Sequence, residues 1–227
     1  NHSVCRWCYG SIELEELCRA GKEIGLKSVE LLQPDEIPTA QRFGLTCAMV
    51  SSPSVKAADG NRVGGITHGW NRLQYHEVLV DAYREQIQRV VQLGLNNLIC
   101  FSGNRDGMED QEGIENCARG LKRLMPIAEA AGVTITMELL NSKVDHADYM
   151  CDHTAWGVAL CETVDSDRFK LLYDIYHMQI MEGDVIATIR KNHQWISHYH
   201  TGGVPGRNEI DDSQELNYPA IMRAIAD

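Results

Sequence analysis

Short apolar runs alternate with longer amphipathic segments along the whole chain. The apolar runs predict seven strands, at residues 3–7, 28–32, 45–50, 97–101, 133–138, 169–174 and 195–200. The amphipathic segments predict a helix after each strand, at residues 12–25, 37–44, 76–94, 113–132, 153–164, 185–193 and 217–227. In the first of these, Leu14, Leu17 and Cys18 recur at helical spacing. The predicted repeating unit is therefore a strand followed by a helix.

Strands that are apolar throughout are typical of parallel sheets buried on both faces. A doubly wound open sheet would carry a glycine-rich nucleotide turn after an early strand, but residues 3–7 run into "CYGSIELEEL". We therefore predict an α/β fold, a (β/α)8 TIM barrel, as one domain over residues 1–227. Only seven strands are found, and an open barrel would expose two strand edges. The eighth strand and helix are accordingly expected to be missing from a truncated chain.

Polar side chains end three consecutive predicted strands. Glu138 ends "TITME", Asp174 ends "LLYD" and His200 ends "ISHYH". A TIM barrel has its active site at this end of the strands. Two carboxylates and an imidazole suit one divalent metal ion, Mn²⁺, Mg²⁺, Co²⁺ or Zn²⁺. The alternative is that loops or ion pairs satisfy each residue separately. His198, two residues before His200, is predicted to support the site or to lie in the core.

Residues near the predicted metal ligands are candidates for binding substrate. His177 follows Asp174 by three residues and is predicted to start a turn over the barrel mouth, with helix capping as the alternative. Arg207, in a loop rich in glycine, offers a fixed positive charge to a carboxylate or a hydroxyl-rich ligand. Asn141 and Lys143 follow Glu138 and are predicted to orient substrate, unless they are ordinary loop residues.

Two further candidates lie elsewhere in the chain. The loop at residues 51–74 is too long for a simple connection, and long ordered loops are often lids. His68 is therefore predicted to close over the ligand, together with Trp70, Asn71 and Arg72. Trp7, at the end of the first predicted strand, is a candidate hydrophobic wall, with core packing as the alternative.

Charge and cysteine content narrow the possible partners and location. With 21 basic and 32 acidic residues the formal charge is −11, which argues against nucleic acid or an anionic membrane surface and favours a small molecule. Most of the eight cysteines lie in apolar runs. Cys5 and Cys8 form a C-x-x-C pair without a second one, so buried thiols and a cytoplasmic location are predicted. The alternative is an exported form with a removed leader, because the sequence starts at Asn1 rather than Met.

Several motifs carry a resemblance to a known family: "SVCRWCYG", "MELLNS", "YDIYHMQIMEGD" and "VPGRNEI" followed by "LNYPAIMRAI". The chain resembles the xylose isomerase-like barrels, and within them the hydroxypyruvate isomerase-like branch. The resemblance implies one divalent metal, whose first three ligands fall on Glu138, Asp174 and His200. A fourth, a glutamate on the eighth strand, has no counterpart in this sequence. It also implies that the protein forms a homo-oligomer.

The same resemblance implies an isomerase of carbohydrate metabolism, either an aldose-ketose isomerase or a ketose 3-epimerase. Its substrate would be a sugar or a hydroxy-keto acid. A metal on the substrate oxygens stabilises the ene-diolate that forms when a neighbouring proton is removed. Glu138 and His177 are the predicted catalytic residues. His200 stands where hydroxypyruvate isomerases often have glutamine and matches the histidine of ketose 3-epimerases and sugar isomerases, so the substrate stays open, and Arg207 is compatible with an acidic one.

Two rival functions are retained. An abasic-site endonuclease shares this barrel, but its zinc cluster needs a histidine where "GRNEID" has Asn208. The acidic charge also argues against a DNA substrate. The second rival is a sugar-binding barrel without catalytic activity, which would keep these ligands by descent.

Overall fold

The computed structural model describes residues 2–227. Its strands are β1 (Ser3–Cys5), β2 (Ser28–Glu30), β3 (Val55–Lys56), β4 (Arg62–Val63), β5 (Asn97–Cys100), β6 (Thr134–Glu138), β7 (Phe169–Asp174) and β8 (Ile196–His200). Its helices are α1 (Leu14–Glu23), α2 (Ile37–Arg42), α3 (His76–Gln92), α4 (Asp110–Ala131), α5 (Thr154–Val164), α6 (Ile175–Met181), α7 (Val185–Asn192) and α8 (Tyr218–Ala226). All seven predicted helices are present, within a few residues of the predicted bounds.

The barrel wall is a curved parallel sheet. Strands β5, β6, β7 and β8 pair in sequence order, and β1 pairs with β2. Residues 45–50 join these two groups through single bridges, from Thr46 to Ser28 and from Val50 to both Leu32 and Leu98. The predicted third strand is therefore extended but too irregular to form a continuous ladder. Residues 2–227 supply seven strands of the barrel wall, with residues 45–50 counted as the third.

Two local predictions are wrong in detail, and one element was not predicted. The first strand ends at Cys5, and Trp7 lies in a 3-10 turn over Arg6–Tyr9, so Trp7 does not end a strand. His177 lies inside α6, which begins directly after β7, rather than in a turn. The long loop contains the β3–β4 hairpin, which the sequence reading missed.

The main core packs the outer face of the sheet against the helices. It includes Phe169, Leu171 and Tyr173 of β7 and one side of α4, whereas Leu172 lies on the opposite face of β7, so this strand is apolar on both faces. A separate small cluster consists of Met49 from residues 45–50, Ile99 from β5 and Leu172 from β7. Helix α4 begins with acidic residues and ends at Gly132 with φ of 67°, a left-handed conformation that glycine adopts readily.

A cavity of about 990 Å³ opens beside β1 and β8. Residues of both strands line it, together with the loop that contains Arg207 and part of α8. Within residues 2–227, β1 pairs only with β2 and β8 only with β7. The carboxyl ends of these two edge strands are therefore reachable from the cavity.

Among the helices of residues 2–227, none combines the length and apolarity that crossing a membrane requires.

Candidate metal centre and active site

Glu138, Asp174 and His200 come together at the carboxyl ends of β6, β7 and β8. One ligand atom from each lies within 4.8 Å of the others, and all three side chains are buried. Nδ1 of His200 lies 3.0 Å from Oε1 of Glu138 and 3.7 Å from Oδ2 of Asp174. The three residues predicted from the strand ends thus form one cluster.

Strand register explains this meeting. In the β7–β8 ladder Asp174 pairs directly with His200, and in the β6–β7 ladder Glu138 pairs with Leu172. Adjacent parallel strands lie about 4.8 Å apart, so side chains that end neighbouring strands on one face come within reach of one ion. Asp174 also caps α6, because one of its oxygens accepts a hydrogen bond from the backbone N–H of His177 over 3.3 Å.

The cluster holds its charges by mutual pairing. Burial alone would raise the pKa of Asp174, but the hydrogen bond from His200 and the positive charges nearby outweigh it and place the pKa well below its usual range. Burial alone would lower the pKa of His200, but its hydrogen bonds to Asp174 and Glu138 raise the pKa to about 10. Two carboxylates and one imidazole therefore lie together in one buried cluster, and all three can offer a donor atom to a cation.

His177 lies fully buried beside the cluster. Its Nδ1 lies 2.7 Å from Nδ2 of Asn141, and its Nε2 lies 2.7 Å from Nη1 of Arg207 and 3.8 Å from Oδ2 of Asp174. Burial is the main cause that lowers the pKa of His177 to about 4, and Arg207 lowers it further against the opposing charge of Asp174. His177 is therefore a neutral imidazole at neutral pH.

Arg207 reaches the cluster between two aromatic rings. Its guanidinium carbon lies 5.1 Å from the ring centroid of Trp7 and 5.0 Å from that of Tyr176, a distance that allows cation–π attraction. Its Nη2 donates to Oδ2 of Asp174 over 2.5 Å. Trp7 keeps 55% of its surface exposed, so it forms part of the mouth rather than of the core.

The remaining predicted residues lie apart from the three donors. Lys143 donates to the carbonyl oxygens of Ile180 and Met181 at the end of α6. His68 contacts Thr67 and packs edge-on against Tyr75. Their roles in substrate binding remain predictions.

The lid predicted from the long loop is wrong for part of that loop. Trp70 and Asn71 are fully buried. Arg72 donates to the carbonyl oxygens of Asn104 and Arg105. This end of the loop is therefore anchored to the segment after β5.

Sequence reasoning missed the residues on the far side of the His200 ring. Glu30, which ends β2, is buried, and its Oε1 lies 3.8 Å from Nε2 of His200. Its Oε2 lies 2.8 Å from Nε2 of His198. The strand-end rule did not select Glu30, because the predicted strand ran on to residue 32, whereas β2 ends at Glu30. Cys5 is half-buried and Cys8 exposed, so the prediction of buried thiols is wrong for this pair, although all eight cysteines are free.

The donor set fits a divalent metal ion. Glu138, Asp174 and His200 offer two carboxylate oxygens and one imidazole nitrogen from three rigid strand ends. These three residues would hold the metal, although their donors do not select one metal among Mn²⁺, Mg²⁺, Co²⁺ and Zn²⁺.

The fold and the cluster together define a TIM barrel with a metal-type site at the carboxyl end of its strands. The family model described as "Xylose isomerase-like TIM barrel" matches residues 18–227. The chain belongs to this family, which confirms both the predicted fold class and the predicted family.

Two curated relatives carry names of isomerases. The chain is 37% identical over 98 residues to 2-oxo-tetronate isomerase of Cupriavidus necator, an alignment covering 43% of this chain and 37% of that protein. It is 24% identical over 225 residues to the putative hydroxypyruvate isomerase of Homo sapiens, covering 92% of this chain and 78% of that one. The predicted enzyme class, an isomerase, agrees with these relatives.

Solved structures share the fold. An AP endonuclease of family 2 from Brucella melitensis superposes with a TM-score of 0.82 at 24% identity, covering 99% of this chain and 88% of that one. D-psicose 3-epimerase, solved in the presence of D-fructose, gives a TM-score of 0.76 at 15% identity, covering 99% and 80%. At such identities these similarities establish the barrel alone.

Proposed function

We propose that this protein is a metal-dependent isomerase or epimerase that acts on a sugar or a hydroxy-keto acid. The observation that carries the proposal is the buried cluster of Glu138, Asp174 and His200, whose donor atoms lie within 4.8 Å of one another. Neutral His177 and cationic Arg207 lie on one side of it, so ligands and candidate substrate-binding groups share one mouth.

The chemistry follows from the acidity of a carbon next to a carbonyl. A divalent ion held by the three donors would polarise the substrate oxygens and make the neighbouring proton easier to remove. Glu138, as a carboxylate in this mouth, accepts that proton. Return of the proton to the adjacent carbon interconverts aldose and ketose, whereas protonation from the opposite face inverts the original carbon.

The neighbouring residues bind and orient the substrate. His177 is neutral, so it offers one N–H to a substrate oxygen without repelling a cation at the cluster. Arg207 presents a planar guanidinium held between Trp7 and Tyr176, a shape that matches a carboxylate. A hydroxy-keto acid has both of the groups that these two residues would recognise.

The wider setting of the site belongs to the same proposal. The partner is a small molecule rather than nucleic acid or a membrane, in agreement with the formal charge of −11. We further propose that residues 1–227 act as one barrel domain, that the protein forms a homo-oligomer and that it works in the cytoplasm.

Solvent exchange tests the proposed reaction directly. The protein is incubated in D₂O with Mn²⁺ or Mg²⁺, and hydroxypyruvate and a panel of ketoses are followed separately by NMR. We expect deuterium at the carbon next to the carbonyl, with loss of this signal on chelation and in the Glu138→Gln variant. The labelled carbon identifies the substrate class, because exchange reports proton removal whichever product forms.

The rivals predict different results. A sugar-binding barrel would retain metal and bind ligand without any exchange. An endonuclease-like hydrolase would show no exchange but would cleave an abasic-site oligonucleotide. Either result, with metal binding demonstrated in the same sample, would overturn the proposed isomerase chemistry.

A further inference from the structure

A second group of donors surrounds the opposite edge of the His200 ring. Nε2 of His200 lies 3.8 Å from Oε1 of Glu30 and 3.9 Å from Sγ of Cys5, and that Sγ lies 3.9 Å from the same Glu30 oxygen. Glu30 and His200 are buried and Cys5 is half-buried. The proposed reaction uses only Nδ1 of His200 and leaves these three atoms without a role.

The three atoms form a nearly equilateral triangle. A point in its plane equidistant from all three lies about 2.2 Å from each, the mean edge divided by the square root of three. Bonds from zinc to sulfur are about 2.3 Å long, and those to imidazole nitrogen or carboxylate oxygen are about 2.0–2.2 Å. The centre of the triangle is therefore at coordination distance from all three donors.

Hydrogen bonding accounts for only part of this arrangement, because the Cys5 thiol has one proton and can donate to Glu30 or to His200 but not to both. The distance from Nε2 of His200 to Oε1 of Glu30 exceeds the roughly 2.7–3.2 Å of an N–H···O hydrogen bond. His198 approaches the other oxygen of Glu30 at 2.8 Å, which holds the carboxylate with Oε1 turned toward Cys5 and His200. A histidine that orients a ligating carboxylate is a common support in metal sites.

An ion can reach this triangle from outside. Cys5, Glu30 and His200 all line the cavity of about 990 Å³ beside β1 and β8. Exposed Cys8 lines the same cavity, so a second thiol is available near the entrance. Arg207 lines this cavity too, so the ion would enter beside the guanidinium proposed to bind substrate.

We propose that Cys5, Glu30 and His200 form a second metal site, specific for a thiophilic divalent cation such as Zn²⁺. On binding, the Cys5 thiol gives its proton to solvent and the thiolate coordinates the ion. The ion also replaces the proton on Nε2 of His200, which goes to solvent, and Nδ1 keeps its proton and cannot bind a metal. Zn²⁺ at this thiol site therefore displaces a hard ion from the Glu138 cluster.

Cobalt absorption tests the thiol site without any substrate. Co²⁺ bound to a thiolate gives a charge-transfer band in the near ultraviolet that oxygen and nitrogen ligands do not give. We expect this band in the wild-type protein, its loss in Cys5→Ser and its retention in Cys8→Ser, the matched control. The near-isosteric Glu30→Gln variant should weaken Zn²⁺ binding by about tenfold or more in equilibrium dialysis.

The possible results distinguish a site formed by Cys5, Glu30 and His200 from one formed by Cys5 and Cys8. Absence of the band in the wild type overturns the proposal, as does unchanged Zn²⁺ affinity in Glu30→Gln. Equal loss of the band in both cysteine variants assigns the ion to the Cys5–Cys8 pair and overturns the role of Glu30. Far-ultraviolet circular dichroism of each variant shows that the fold is retained, and Glu30→Gln supplies a test that needs no cysteine substitution.

Competition between the two sites is measured with Mn²⁺, whose free ion gives an electron paramagnetic resonance signal. We expect one equivalent of Zn²⁺ to raise the apparent Kd for Mn²⁺ by about tenfold or more in the wild type, and by much less in Cys5→Ser. Simultaneous full occupancy by both ions would overturn the exclusion between the sites. No substrate is present, so the result is independent of the proposed isomerase activity.

Discussion

Asn141 holds the imidazole of His177 in one orientation: its Nδ2 lies 2.7 Å from Nδ1 of the ring, and both side chains are fully buried. The Asn141 amide cannot be turned over, because its Oδ1 accepts the backbone N–H groups of Val144 and Asp145. The Nδ2 group is therefore the one that faces the ring. Since an amide nitrogen only donates, Nδ1 of His177 is the acceptor and Nε2 carries the proton.

The contact between Arg207 and His177 conflicts with a proton on Nε2 of the ring. Its Nη1 lies 2.7 Å from Nε2 of His177, and a guanidinium can only donate. A neutral ring cannot accept at both nitrogens, so one of the two contacts opens. Asn141 is fixed by its backbone partners, whereas Arg207 extends from a loop, so we expect Arg207 to give way. The Nε2–H of His177 then faces the barrel mouth.

The first prediction concerns the tautomer of His177. The Asn141→Asp substitution places an acceptor opposite Nδ1, so the proton should move to Nδ1 and leave Nε2 without one. Turnover should fall by about 10²-fold or more, because Nε2 can no longer donate to a substrate oxygen. Nitrogen-15 chemical shifts of labelled histidine report which ring nitrogen carries the proton.

Asn141→Ala serves as the control for this prediction. It removes the donor without adding an acceptor, so the tautomer should become mixed rather than reversed. An unchanged tautomer in the aspartate variant would show that Asn141 does not select it. A reversed tautomer with unchanged turnover would remove His177 from the reaction.

The second prediction concerns pH and metal affinity. Hydrogen bonds to Asp174 and Glu138 raise the pKa of His200 to about 10 despite its burial, so the metal-free ring is protonated at neutral pH. A metal must displace the proton on Nδ1, so affinity should rise about tenfold per pH unit and level off near pH 10. Calorimetry in two buffers of different ionisation enthalpy should detect about one proton released per ion.

The stability of the metal-free protein should change with pH in the opposite direction to metal affinity. Because folding raises the pKa of His200, its ion pairs stabilise the metal-free protein fully below the usual histidine pKa, and this contribution disappears as pH rises through about 10. His200→Gln is the matched control, since an amide can bind metal but has no proton to release. Equal proton release in this variant would assign the proton to another group.

Much of the barrel and its metal ligands could be predicted from local signals. Unbroken apolar runs marked the strands, and polar residues at their ends marked Glu138, Asp174 and His200 as neighbours, because parallel strands share one carboxyl edge. The irregular third strand was beyond this reasoning. Its only ladder contacts are single bridges, which depend on how the sheet curves rather than on the composition of residues 45–50.

The remaining contacts of the site join segments that lie far apart in the sequence. Nothing in the sequence near Asn141 shows that its amide meets His177, 36 residues later. The stacking of Arg207 on Trp7 likewise joins opposite ends of the chain. Sequence order also could not show that Lys143 donates to the end of α6. These contacts depend on how the curved sheet brings distant segments together.

The third prediction concerns the charge of the substrate. Arg207→Gln should lower kcat/KM for hydroxypyruvate by about 10- to 100-fold, because a hydrogen bond to a charged group contributes roughly 1.5–3 kcal/mol. A neutral ketose should lose only a few-fold. Arg207→Lys keeps the charge but loses the planar arrangement of donors, so its kcat/KM for hydroxypyruvate should lie between those of the wild type and of Arg207→Gln. Steady-state rates on both substrates give the ratio, and equal losses on both would contradict selection of an anion.

The last prediction concerns the anchoring of the long loop against β5. A Cβ at Gly69 would lie 2.2 Å from the carbonyl oxygen of Phe101, which also accepts the N–H of Trp70. Backbone cannot move away as a flexible side chain can, so Gly69→Ala should destabilise the protein by about 3 kcal/mol or more. Gly65, four residues earlier, has open space around its Cβ position, so Gly65→Ala should leave stability nearly unchanged or raise it by about 0.4–1 kcal/mol. Urea unfolding midpoints of the two variants compare these costs, and equal midpoints would show that the loop is free to shift away from β5.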